Sequence, residues 1–194
     1  MGRAAVLSAA VAAGLMAVGL SGCEDNGVKK HEGSTLAWMK NNLNIETADS
    51  WCYDDDSVNC DKYGRLYTWE AAKAACQSVG MRLPSKKEWE VFVTKAGGWE
   101  TAGKKLKAAS GWNDNGNGTN DFGFSALPGG NRSNDGSFSN AGDNGYWWTA
   151  AAEGDGSLAY YRLMNYDNDY VDEYNDVKGN GFSVRCVWDV SVDE

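Results

Sequence analysis

The sequence predicts one α+β domain stapled by two disulfides, with two short helices ahead of a twisted antiparallel sheet. Three observations carry this expectation. Helix caps followed by apolar residues at helical spacing occur twice in the first half of the chain. From Gly111 onward, short aromatic-rich runs alternate with Gly, Asn and Asp turns. Four cysteines, Cys52, Cys60, Cys76 and Cys186, follow Cys23, which stands directly after a leader.

The leader comprises Met1-Gly2-Arg3, an uncharged run from Ala4 to Leu20, and then Leu20-Ser21-Gly22-Cys23. A charged start, a short apolar stretch and small residues before a cut site make a secretory signal over residues 1–22. The tetrapeptide resembles the lipobox of bacterial lipoproteins, which implies that Cys23 is acylated and becomes the first mature residue. Residues 23–34 are polar and lack hydrophobic periodicity, so they read as a tether between a membrane and a domain over 35–194. Export and lipid anchoring to the bacterial cell envelope, at the outer membrane or cell surface, follow as the expected location.

A first strand is expected over Thr35 to Leu43. Thr68 then caps a helix with Trp69, Ala72, Cys76 and Val79 on one face and Gly80 as terminator. After Pro84, Ser85 and Glu88 form a capping box, and Trp89, Phe92, Val93 and Ala96 follow at helical spacing until Gly97-Gly98. Strands are expected over 145–150, 158–164, 170–174 and 181–187, with Asp167-Asn168-Asp169 and the residues from Asn175 to Asn180 as turns. Four cysteines allow three connectivities. A local bridge from Cys52 to Cys60 across a polar turn needs little reorganisation and leaves Cys76 to join Cys186.

Lys plus Arg is 18 and Asp plus Glu is 27, a net charge of -9 that removes the basic surface nucleic acids require. The only histidine, His31, falls in the tether, so a Ser-His-Asp triad or a multi-histidine zinc site is not supported. With the other cysteines bridged, no mature thiol is left for nucleophilic work.

Seven segments, in order, resemble the Fibrobacter succinogenes major paralogous domain family. They are Trp38-Met39 with Asn42-Leu43-Asn44, Ser50-Trp51-Cys52-Tyr53, Tyr63 to Trp69, Arg82-Leu83-Pro84-Ser85, Phe122 to Gly130, Tyr146-Trp147-Trp148, and Gly181 to Val187. The likeness spans residues 35–190. The run from Arg82 to Glu90 also resembles an element of formylglycine-generating domains, which implies a C-type-lectin-like fold. In those folds a long-range disulfide joins the first helix to the final strand, at positions that Cys76 and Cys186 match. The catalytic cysteine pair of those oxidases has no counterpart around Ala159 to Arg162, so the resemblance carries over the scaffold without the chemistry.

The function expected is therefore a non-catalytic, monomeric binding module for glycans or proteins. Its contact residues are expected on the aromatic hairpins: Trp147, Trp148, Tyr160, Arg162, Tyr166, Asp167, Asn168, Tyr170 and Tyr174, on the face carrying Tyr160, Arg162 and Tyr166. No cofactor is demanded, although a structural calcium ion could sit among Asp114, Asn117 and Asp121. Two alternatives stand beside this reading. One is a formylglycine-generating-type oxidase; the other is a surface ligand-binding protein whose segment from Tyr160 to Asn180 is diversified by a retroelement.

Overall fold

The computed structural model describes residues 17–18 and 34–191. Cys23, His31 and the tether as far as Gly33 lie outside the described residues, as does the leader apart from Ala17 and Val18. Strand β1 (Ala17–Val18) pairs with β2 (Ser34–Trp38), which pairs antiparallel with β10 (Val187–Ser191) near the other end of the chain. Strand β2 is shorter than expected. Leu36, Ala37 and Trp38 are all buried, and beyond them the chain leaves the sheet, with Met39 N–H donating to the Cys186 carbonyl at 3.0 Å.

Both expected disulfides are present, Cys52 to Cys60 and Cys76 to Cys186. The short loop between the first pair is more than a polar turn. Between β3 (Ser50–Trp51) and β4 (Leu66–Tyr67) it holds helix α1 (Ser57–Tyr63), whose first turn is capped by Asp56 accepting the Val58 N–H at 3.0 Å. Asp56, the last of three consecutive aspartates from Asp54, is thus a helix cap.

Helices α2 (Trp69–Ser78) and α3 (Lys86–Ala96) form where the caps place them. Thr68 accepts from Ala71 N–H, while Ser85 and Glu88 complete a reciprocal capping box. Glu88 also receives two hydrogen bonds from the Arg82 guanidinium, at 2.8 and 2.6 Å. A short helix α4 (Ala102–Leu106) follows.

The main sheet has the order β6-β5-β7-β8-β9, built from β5 (Gly129–Arg132), β6 (Phe138–Ala141), β7 (Asn144–Ala152), β8 (Leu158–Asn165) and β9 (Asp172–Val177). It is mixed, because β5 runs parallel to β7 where Gly130 meets Gly145. Strands β5 and β6 carry glycine and asparagine in place of alternating apolar residues, so their sequence reads as loop. Gly130 has φ +65, and a Cβ there would run into the backbone of Ser139 and Ala141, so only glycine lets the two strands approach. The expected last strand over 181–187 is corrected as well. Gly181, Phe182 and Ser183 make single bridges to Arg132, Tyr67 and Trp147 in turn, and the regular strand is β10. A segment that serves three partners cannot form one ladder.

Strand β7 is covered on both faces. Successive strand residues point to opposite sides, and Trp147 packs with Trp38, Trp89 and Phe92 in the core cluster that includes α3. Trp148 packs with Trp69, Ala72 and Phe182 in the cluster that includes α2. Between the layers, the fully buried Arg185 donates from Nε to Asn42 Oδ1 (2.6 Å), from Nη1 to the carbonyls of Met39 (3.0 Å) and Phe124 (2.7 Å), and from Nη2 to the Ser125 carbonyl (2.9 Å). Asn42 Oδ1 also accepts from Trp147 Nε1 at 3.0 Å.

Burial alone would raise the Glu88 pKa, but the Arg82 hydrogen bonds and the Ser85 N–H outweigh it and hold the carboxyl below its ordinary 4.5. A depressed acid pKa contributes stability above the unfolded value and loses it as pH falls through the folded one. Glu88→Gln, which keeps a capping amide, is expected to cost about 1–2 kcal/mol at pH 7. Urea unfolding at pH 7, 5 and 3.5 should show the gap to the parent protein closing towards the acid end.

Candidate functional site

Two regions of the hairpin formed by β8 and β9 gather polar and aromatic groups at the surface. The first is the face of the main sheet that carries Trp148, beyond the area that α2 covers. Cross-strand register sets Trp148 opposite Tyr161, Tyr161 opposite Tyr174, Tyr146 opposite Leu163, and Leu163 opposite Asp172, so these side chains share one face. Phe182 is 4.7 Å from the Tyr161 ring and stacks on Tyr146 at 5.0 Å. The row continues from Tyr161 to Tyr174 at 6.1 Å, where Tyr174 is 52% exposed. It therefore runs from core to solvent.

Polar groups flank the row. The Tyr146 hydroxyl accepts from the side-chain amides of Asn140 (3.0 Å) and Asn144 (2.9 Å), and Asn140 also donates to Asn131 Oδ1 at 3.0 Å. Burial, with the nearby Asp176 charge second, pushes the Tyr161 phenol up to about 12, so it remains a neutral donor at physiological pH. Burial also raises the Asp172 carboxyl pKa. Such a face can stack on an apolar ligand surface and hydrogen-bond at its margins.

The second region is a polar cavity of about 130 Å³ at the hairpin tip, lined by Tyr166, Asp167, Asn168 and Asp169 on one side and by Lys104, Lys107, Asn115 and Asn117 on the other. Gly116 completes the wall; a Cβ there would meet the Tyr166 backbone, so the two loops touch only because that position is glycine. Lys107 is 2% exposed, and its ammonium donates to the carbonyls of Asn165 (3.1 Å) and Asn168 (2.7 Å) with Asp169 Oδ1 at 3.7 Å. Lys104 donates to the Asn117 carbonyl at 3.0 Å.

A family model described as the Fibrobacter succinogenes major domain matches residues 24–188, most of the chain. The protein belongs to that family. The match reaches back from the expected domain start at Thr35 into the tether. No curated protein and no solved structure matches the chain.

In this Fibrobacter succinogenes major domain the expected contact residues do not form one surface. Trp147, Trp148 and Arg162 are fully buried and are corrected to core positions. Trp147 donates to Asn42, and Trp148 Nε1 donates to the Tyr67 carbonyl at 2.8 Å. Arg162 pairs with Glu173 beside the Trp99 ring, on the side facing α3, where Arg162 is buried while Tyr160 and Tyr166 stay partly exposed. Tyr160, on that same side, is half-buried beneath the Lys86 ammonium, 3.6 Å from its ring centroid.

Tyr166, Asp167 and Asn168 converge on the cavity, and Tyr170 is exposed nearby in the chain. Tyr174 stands at the end of the aromatic row. Of the three candidate metal ligands, Asn117 lines the cavity with its side-chain oxygen accepting from Trp112 N–H at 3.0 Å, while Asp114 and Asp121 are exposed. Among the described residues, no group of three or more His, Cys, Asp or Glu side chains is placed to hold a metal ion.

Tyr146, Tyr161, Asn140, Asn144, Lys104 and Lys107 were not among the expected contacts. Period-two alternation puts Tyr160 and Tyr161 on opposite faces, but only the packing shows that Tyr160 lies beneath Lys86 and Tyr161 in the aromatic row, both of them half-buried. Trp147→Ala should cost about 3–5 kcal/mol through a core cavity. Tyr174→Ser should stay within about 0.5 kcal/mol of the parent protein. Thermal unfolding of the two variants checks both figures.

Proposed function

We propose that this protein is a lipid-anchored cell-envelope protein whose domain is a non-catalytic binding module for a glycan or protein ligand. The observation that carries the reading is the tyrosine row from Tyr146 through Tyr161 to the exposed Tyr174, with asparagine amides at one end and Asp172 and Asp176 along its edge. Rigid aromatic rings offer contact area at low entropic cost, and the amides and carboxylates supply direction. The Cys76–Cys186 disulfide ties α2, which packs on part of the same face, to the segment ahead of β10.

That long-range link also supports a C-type-lectin-like architecture as part of the proposal. A formylglycine-type oxidase would need a cysteine pair, and Cys52, Cys60, Cys76 and Cys186 are all joined in disulfides. Anchoring is supported by Leu20-Ser21-Gly22-Cys23 behind an apolar run. Stable attachment takes more than one acyl chain.

Binding is tested with an array of cell-wall oligosaccharides and with a photo-crosslinking residue at position 174 on intact cells. Ligand capture should fall at least tenfold in Tyr174→Ser while the melting temperature holds, and as far in Tyr161→Ser, whose melting temperature should drop because its ring packs on Phe182 and Trp148. Capture that survives both substitutions would remove this face from the binding site. For anchoring, mass spectrometry of the mature N-terminus should find acylated Cys23. An unmodified first residue elsewhere would sink that part of the proposal.

A further inference from the structure

Lysine Nζ groups lie against the carbonyl oxygens of both loops that wall the hairpin-tip cavity. Lys107 is the residue immediately after α4, and its side chain runs inward until only 2% of the residue remains exposed. Its ammonium meets three oxygens: the Asn165 and Asn168 carbonyls, and the Asp169 carboxylate farther off. An ammonium has three N–H donors and no acceptor, so this oxygen set suits it. Backbone carbonyls together with a carboxylate are also the hard oxygen donors that a calcium ion takes.

Lys104, three residues earlier and so on the same side of the helix, does the same for the opposite loop. Its ammonium is on the Asn117 carbonyl. Asn117 is one of the three residues where the sequence suggested calcium, and a resident positive charge on its carbonyl opposes a divalent ion there. Both walls are thus drawn together by cations that belong to the chain.

We propose that Lys107, seconded by Lys104, is a built-in cation that organises the tip of the β8–β9 hairpin in place of a bound metal ion. The cavity walls, and any ligand taken there, then depend on no divalent metal. The role is that of a positioning residue. It adds to the binding-module reading, but its test requires no ligand.

The decisive measurement uses the wild-type mature protein. Its melting temperature and the hydrogen exchange of amides 165–170 should be the same in 5 mM calcium chloride and in chelator. Terbium, which Trp112 could sensitise because its ring centroid is 5.3 Å from Lys107 Nζ, should give no luminescence. Lys107→Ala should speed exchange at amides 165–170 at least tenfold. With the carbonyl cage vacated, it should also gain terbium luminescence that is lost on adding Trp112→Phe.

A wild-type melting temperature raised by several degrees in calcium, or Trp112-dependent terbium luminescence of the wild type, overturns the proposal. So does a Lys107→Ala variant whose amides 165–170 exchange no faster. If that variant fails to fold, the wild-type calcium and terbium measurements decide alone. Ligand capture that survives the tyrosine substitutions would overturn the binding face and leave all of these readouts unmoved, so the two proposals fail separately.

Discussion

A guanidinium buried without a carboxylate partner among the described residues is the constraint on which the rest of this structure depends. Burial works against the charge of Arg185, so every donor must find an oxygen. Those oxygens come from two segments far apart in the chain: the Met39 carbonyl and Asn42 side chain in one, and the carbonyls of Phe124 and Ser125 in the other. The aromatic face of Phe124 lies 4.4 Å from the charge. The exit from β2, the irregular segment ahead of β5 and the approach to β10 are therefore held by one side chain. Asn42 extends the network to Trp147, to the Tyr63 carbonyl and to Ser183. Hydrogen bonds to a charged group contribute about 1.5–3 kcal/mol each, and an orphaned buried partner costs as much again.

Around this hub the main sheet is enclosed on both sides over part of its area. The α3 layer and the α2 layer claim alternate residues of β7, which is why adjacent tryptophans at 147 and 148 are both core. Neither indole is left without an acceptor. Binding character arises where the α2 layer stops. The aromatic packing that begins at Phe182 and Trp148 continues outward through Tyr161 to Tyr174, so an exposed surface inherits the rigidity of the core that generates it.

The hairpin tip is ordered differently. Val171 and Tyr166 pack against the α3 core cluster at the two ends of one loop, but the residues between them and the Asn113 to Gly118 loop are mostly polar and gain little from hydrophobic burial. Lys104 from α4 and Lys107 just after it add attraction to the Gly103 N–H bond to the Asp169 carbonyl, while Gly116 permits the contact by leaving room for the Tyr166 backbone. Lys107 accepts burial at the expense of its proton affinity, which burial lowers and Asp169 partly restores.

The sequence by itself determined what is encoded within a few residues: the caps at Thr68 and Ser85, the helices they start, the β7 and β8 strands, the disulfide pairing and the family. Each rests on a local rule or on cysteine arithmetic that needs no knowledge of the chain's path. It could not place Gly129–Arg132 or Phe138–Ala141 in a sheet, because glycine at a close approach looks the same as glycine in a loop. Nor could it rank Tyr161 and Tyr174 above Trp147, Trp148 and Arg162 as contact residues. Alternation says that neighbours on a strand face opposite ways, but which way is outward is decided by the helices that dock on each face. Lys107 shows the same limit: a lysine reads as solvated until α4 turns it toward the carbonyls of a loop some sixty positions away. Those choices depend on long-range burial, a property of the assembled layers that no local stretch of sequence contains.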